Sequence, residues 1–191
     1  SIGPPVDPAV TTRVVEWNDL PALQEALRPG DVACVLAEPV LTNFGIIPPE
    51  PGYHEELRRL PREAGTLLII DETHTFCAGP GGYTRAHGLQ PDMITIGKPL
   101  GSGVPSGAYG CTHEVAERIH ASTTIQEADV GGIGGTLAGN ALSLALMKVT
   151  LAEVLTEEAF ARMIPLGERL EQGARTVFRA HDVPWHVERL G

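Results

Sequence analysis

Two polar residues close apolar runs in a way that could do chemistry. Asp71 ends the run Leu67-Leu68-Ile69-Ile70-Asp71, and Lys98 follows Met93-Ile94-Thr95-Ile96-Gly97, 27 residues later. The chain has two lysines, Lys98 and Lys148, against twelve arginines, and Lys98 lies in a glycine-rich apolar stretch. Short apolar runs of this kind read as buried strands. If the two strands are parallel neighbours, the carboxylate and the amine meet at the carboxyl edge of the sheet, where ligands of open α/β sheets collect. Neighbouring strands lie about 4.8 Å apart, so a flat ring of pyridine size can be addressed by both groups. A lysine amine condenses with an aldehyde to a Schiff base. A carboxylate holds a pyridine nitrogen protonated, so that the ring accepts electrons. The pair therefore suits pyridoxal 5'-phosphate, and a freed Lys98 amine can then carry a proton to and from the substrate.

Alone, a strand-end Asp is more often a turn or cap residue, and a lysine in a glycine-rich loop is more often solvated. The pair, each directly after a strand, is far more specific. A competing chemistry is a nucleotide hydrolase, because Leu68-Ile69-Ile70-Asp71-Glu72 also resembles a Mg²⁺-holding strand. That reading needs Gly-x-x-x-x-Gly-Lys-Ser/Thr. Pro99 follows Lys98, Asp92 stands where the first glycine belongs, and Lys148 follows Met147.

The elements that must position these residues read as α/β with a mainly parallel sheet. Ser1 to Thr12 reads as irregular. Asp19 is placed to cap a helix through Leu20, Leu23 and Leu27, ended by Pro29-Gly30. Strands are expected over 32–37, 66–70, 93–96 and 106–109, with a loop over 79–82. Helices are expected over 53–64, with Pro61 as a possible kink or stop, over 112–120, over 140–155 with Asn140 as cap, and over 157–180. The apolar faces of the last two run through Leu142, Leu146 and Val149, and through Leu166, Leu170 and Val177. Strand signals cease near Leu155, which divides the chain into a large domain over 1–155 and the start of a small one over 156–191.

The net charge of −10 argues against a nucleic-acid partner. No apolar run is long enough to span a bilayer, and no export signal opens the chain, so a cytoplasmic place is expected. Cys34, Cys77 and Cys111 have unrelated spacings and read as free thiols. His74 with Cys77, and Cys111 with His113, form no tetrahedral metal set, so no metal is expected.

The motifs then carry a resemblance. Glu38-Pro39-Val40, Leu41-Thr42-Asn43-Phe44-Gly45 and Pro48-Pro49 resemble a stretch of the class III aminotransferases. Asp71-Glu72-Thr73-His74-Thr75 resembles the family's Asp-Glu-Val-x-Thr motif. Pro91-Asp92 and Gly97-Lys98-Pro99-Leu100-Gly101-Ser102-Gly103-Val104-Pro105-Ser106-Gly107 resemble its lysine motif, and Gly134-Gly135-Thr136 its glycine-threonine segment. The likeness is strongest to the branch that includes glutamate-1-semialdehyde aminomutase.

The resemblance implies a fold-type I large domain with Lys98 as the Schiff-base lysine and Asp71 on the ring nitrogen. It places Asn43 near the cofactor's phenolic oxygen and Thr73, in place of Val, on the ring face. It sends Gly135 and Thr136 to the cofactor phosphate of a neighbouring subunit, which implies a homodimer. It implies amino-group transfer from an amino donor to an oxo acceptor, with intramolecular aminomutation as the alternative. Family chains are much longer, so this chain reads as a central fragment, inactive alone. His74 reads as a packed or loop residue beside the site, with lining of the substrate pocket as the alternative. Arg85 reads as a surface ion pair, with a substrate carboxylate as the alternative. Glu38 reads as structural support near the site.

Overall fold

The computed structural model describes residues 7–122 and 137–191. Among them lies a four-stranded sheet in the order β1 (Cys34–Ala37), β2 (Leu67–Asp71), β3 (Met93–Ile96), β4 (Ala108–Cys111). The first three strands are parallel, and β4 runs antiparallel to β3. The sheet is thus mainly parallel, as expected. The fourth strand begins two residues later than its sequence pattern suggests, because Ala108 is the residue that pairs with Ile96.

Helices α1 (Pro8–Thr11), α2 (Leu20–Leu27), α3 (Tyr53–Glu63), α4 (Gly82–Ala86), α5 (His113–Ser122), α6 (Ala141–Val149) and α7 (Glu157–Ala180) accompany the sheet. The first of these corrects the irregular reading of the opening residues: the Asp7 side chain accepts from the Ala9 amide and caps one turn. Asp19 caps α2 through the Ala22 amide at 2.9 Å. Asn140 caps α6 through the Ser143 amide at 3.0 Å. Pro61 removes one helical donor from α3 without ending it, and its carbonyl instead accepts from the Thr66 amide at 2.8 Å.

The core explains the spacing of the apolar residues. Leu23 and Leu27 of α2, with Tyr53, Leu57 and Leu60 of α3, pack on Leu68 and Ile70 of β2. Because strand side chains alternate, Leu67, Ile69 and Asp71 face the other way. The apolar faces expected for the late helices are largely open: Leu142, Val149, Leu166, Leu170 and Val177 are exposed, while Ser143, Thr150 and Phe160 are buried. The long helix expected to reach Leu155 changes at Thr150 into a single π-helical turn, Thr150–Val154.

One residue welds several elements. Arg58 of α3 donates to both oxygens of Asp92, at 2.7 and 3.0 Å. Asp92 also accepts from the Leu68 amide at 2.7 Å, and its carbonyl accepts from the Thr112 amide. Burial pushes the Asp92 carboxyl up, but the Arg58 guanidinium and the Leu68 amide outweigh it and hold the group below its ordinary value.

Glu72 continues the alternation past the end of β2 and turns inward, fully buried. Its carboxylate accepts from the Tyr83 and Thr84 amides, both at 2.7 Å, and from the Thr75 hydroxyl at 3.0 Å. It is a structural anchor for the start of α4, which begins at Gly82 where a loop was expected. Gly82 has φ +79°, and a Cβ there would lie 2.6 Å from a Glu72 oxygen. Gly82→Ala is therefore expected to destabilise the intact protein by about 3 kcal/mol. Urea unfolding reads this as a lower midpoint, and an unshifted midpoint would show that the anchor is soft.

Candidate active site

Asp71 and Lys98 stand where their strands suggested. Asp71 is the last residue of β2, paired in register with Thr95 of the neighbouring parallel strand β3. Lys98 lies two residues past the end of β3, after Gly97, and opens the 3₁₀ turn Lys98–Gly101. Both line one open cavity of about 200 Å³, together with Glu38, Asn43, Thr73 and His74.

The end of β2 folds back on itself. The Thr73 amide donates to Asp71 Oδ1 at 2.8 Å. Burial raises the Asp71 carboxyl, but hydrogen bonds from the Thr73 side chain and amide and from Thr95, with a smaller contribution from His74, leave it below its ordinary value. Asp71 is therefore a carboxylate at neutral pH. Neither it nor Lys98 joins any salt bridge among the described residues. A carboxylate whose hydrogen-bond donors are neutral, and which joins no salt bridge among the described residues, can still receive a cation.

Thr73 has a second contact. A Cβ on Gly97 would meet the Thr73 methyl at 3.2 Å, so glycine at 97 lets the two strand ends approach closely. The Lys98 backbone is itself unusual, with φ +26° in a non-glycine residue. Backbone strain of this kind costs on the order of 1–3 kcal/mol and persists only where the surroundings hold it. Here the turn is held by fully buried Leu100. Its continuation is tied to the late helices, because the Ser102 and Thr150 hydroxyls lie 2.7 Å apart and the Ser143 hydroxyl donates to the Pro105 carbonyl.

Asn43 sits in a tight loop closed by the Leu41–Ile47 bridge, with Phe44 exposed at its tip. Behind it, sequence reasoning missed a network. The Thr42 hydroxyl donates to Glu38 Oε2 at 2.6 Å, and the Thr42 hydroxyl oxygen contacts His74 Nδ1. Glu38 and His74 both line the site: for His74 this is the alternative to the packed reading, and for Glu38 it goes beyond the structural support expected. The signal was present in the spacing of Glu38 and Thr42, but their link to His74 crosses 32 residues. Arg85 makes no ion pair among the described residues; its side chain packs over Gly81 instead. Among those residues no group of three or more His, Cys, Asp or Glu is placed to hold a metal, and the Cys77 thiol donates to the His74 carbonyl. Gly135 and Thr136 lie outside the described residues.

The donor set fits a pyridine-aldehyde cofactor: an amine without a salt bridge among the described residues for the aldehyde, a charged carboxylate for a ring cation, and the Asn43 amide. The buried Glu72 is consumed by α4, which removes it from the metal-holding role that a nucleotide hydrolase would need.

Comparison with known proteins gives the family. The family model described as aminotransferase class-III matches residues 11–191. Glutamate-1-semialdehyde 2,1-aminomutase 2 of Halalkalibacterium halodurans is 41% identical over 100% of this chain and 44% of that protein. A crystal structure of a glutamate-1-semialdehyde-aminomutase variant from Pseudomonas aeruginosa PAO1, in complex with PMP, superposes with a TM-score of 0.90 at 50% identity, covering 96% of this chain and 41% of that one. An omega-transaminase from Sphaerobacter thermophilus gives a TM-score of 0.79 at 29% identity, over 93% of this chain and 40% of that one. The chain thus spans less than half the length of these proteins.

Proposed function

Because the chain belongs to the class III aminotransferase family, whose cofactor is pyridoxal phosphate, we propose that it forms the cofactor-binding centre of an enzyme that moves an amino group. The observation that carries this reading is the pairing of an ionised Asp71, without a salt bridge among the described residues, with Lys98 in one cavity at the ends of adjacent parallel strands. When bound, the cofactor supplies the electron sink that makes the substrate's α-carbon acidic. Lys98 would hold the cofactor at its aldehyde, and its amine would move a proton to and from the substrate's α-carbon. Asp71 would keep a proton on the ring nitrogen, Asn43 would donate to the phenolic oxygen, and Thr73 would border the ring face. Gly135 and Thr136 serve the phosphate of the partner subunit in a homodimer. The large domain ends near Leu155, and α7 begins the small one. No helix of the described residues is long and apolar enough to cross a membrane, and we place the enzyme in the cytoplasm.

Two forms of transfer use these residues equally: exchange between an amino donor and an oxo acceptor, and migration within one molecule. The aminomutase-named relatives, at 41% and 50% identity against 29% for the transaminase, favour the second. Incubating the intact protein with glutamate-1-semialdehyde alone, and separately with an amino donor plus an oxo acid, decides between them. Product from the first mixture only is the result expected of the aminomutase. Ping-pong exchange in the second reverses that choice, and no amino transfer in either removes the proposal.

A further inference from the structure

We propose that His74 takes the proton from the substrate's ammonium group, so that the amine reaches the cofactor with a free electron pair. The inference rests on the function proposed above. A primary amine arrives protonated at neutral pH, since alkylammonium groups lose their proton near pH 10, and an ammonium nitrogen has no pair with which to attack.

Among the groups that line the cavity, His74 offers a ring nitrogen without a hydrogen-bond partner among the described residues. Thr42 has a single hydroxyl proton, and it goes to Glu38 Oε2, which can only accept. The Thr42 oxygen must then accept from His74 Nδ1, so Nδ1 carries hydrogen. In the neutral ring this leaves Nε2 with a bare lone pair. Thr42 does not line the cavity, whereas His74 does, so the nitrogen turned from Thr42 is the one left for the cavity. Nε2 has no hydrogen-bond partner among the described residues.

The other groups facing His74 are committed. Asp71 is engaged by Thr73 and Thr95, Glu38 by Thr42, Lys98 by the cofactor, and Cys77 by the His74 carbonyl. In the proposed step one N–H bond of the ammonium breaks, its electron pair stays on the substrate nitrogen, and the proton bonds to Nε2. The imidazolium so formed is balanced by the Glu38 carboxylate, 3.7 Å from Nδ1. The proton returns when the product amine departs. Glu38 and Thr42 act through His74 and are positioning residues.

Two amines of opposite protonation test this on the intact, cofactor-loaded enzyme. Ethylamine arrives as the ammonium; methoxyamine arrives neutral. Their reaction is followed as the change in visible absorbance of the Lys98-bound cofactor. His74→Phe is expected to slow ethylamine about 100-fold near pH 7, with the deficit closing as the pH nears 10, while methoxyamine changes by less than about twofold. Thr42→Val should reproduce part of the ethylamine defect. A difference ¹⁵N spectrum of histidine-labelled, cofactor-free protein, wild type minus His74→Phe, should show His74 with its proton on Nδ1. Equal slowing of both amines, no slowing of either, or an Nε2-protonated tautomer would overturn the role of His74. A wild-type protein that forms no Lys98-bound cofactor would overturn the underlying function instead.

Discussion

Replacing Lys98 with Ala is expected to lower turnover by a factor on the order of 10⁴ and to abolish covalent attachment of the cofactor, with the fold intact. The size follows from two roles lost at once, a nucleophile and a proton carrier. The fold should tolerate the change because the Lys98 side chain is exposed and forms no salt bridge among the described residues, whereas the turn is anchored by Leu100 and by the Ser102–Thr150 hydroxyl pair. Alanine at φ +26° inherits the backbone strain of lysine without adding to it, so the unfolding midpoint should move little. Borohydride reduction of the wild-type protein followed by peptide mapping should place the label on Lys98. Lys148, exposed in the last turn of α6, should remain unlabelled. An added small amine should restore part of the proton transfer to Lys98→Ala. Unchanged turnover, or label on Lys148 alone, would remove Lys98 from the site.

How much of this was legible beforehand depends on how far apart the interacting residues lie. The strands β2 and β3 could be read because each is an apolar run closed by one polar residue, a local signal. Their adjacency followed from the rules for parallel crossovers. The caps Asp19 and Asn140 were likewise local, each reaching an amide three residues on. The fate of Glu72 was not legible, since its partners Tyr83 and Thr84 lie 11 and 12 residues away and are brought to it only by the Gly82 turn. The same holds for Thr42 and His74, which meet across 32 residues, and for Ser102 and Thr150, which meet across 48. Burial of α6 went astray for another reason. Its leucines suggest an inward apolar face, yet its buried residue is Ser143, because that hydroxyl must reach the Pro105 carbonyl beside the lysine turn.

Asp71→Asn is expected to cost roughly 100- to 1000-fold in turnover while leaving the fold and much of the cofactor binding in place. The amide keeps an oxygen that can accept from the Thr73 amide, now at 2.8 Å from Asp71 Oδ1, so the strand end can retain its shape. What is lost is the negative charge. In the wild type the hydrogen bonds from Thr73 and Thr95 outweigh burial and hold the carboxyl below its ordinary value. A depressed carboxyl is fully charged above the usual range near pH 4. Both its contribution to stability and its hold on a ring cation therefore persist through neutral pH and fade only as the pH falls through the lowered value. An acid limb of activity at pH 5 to 7 is thus not expected from Asp71, and the pH profile of Asp71→Asn should keep the wild-type shape in that range at a lower height. A cofactor methylated on its ring nitrogen carries a permanent positive charge and needs no carboxylate to keep a proton there. Loading it into Asp71→Asn should recover a large part of the lost rate, while the normal cofactor should not. Equal rates with both cofactors at the reduced level would make Asp71 a support for the strand end, and near-wild-type turnover with the normal cofactor would separate it from the chemistry altogether.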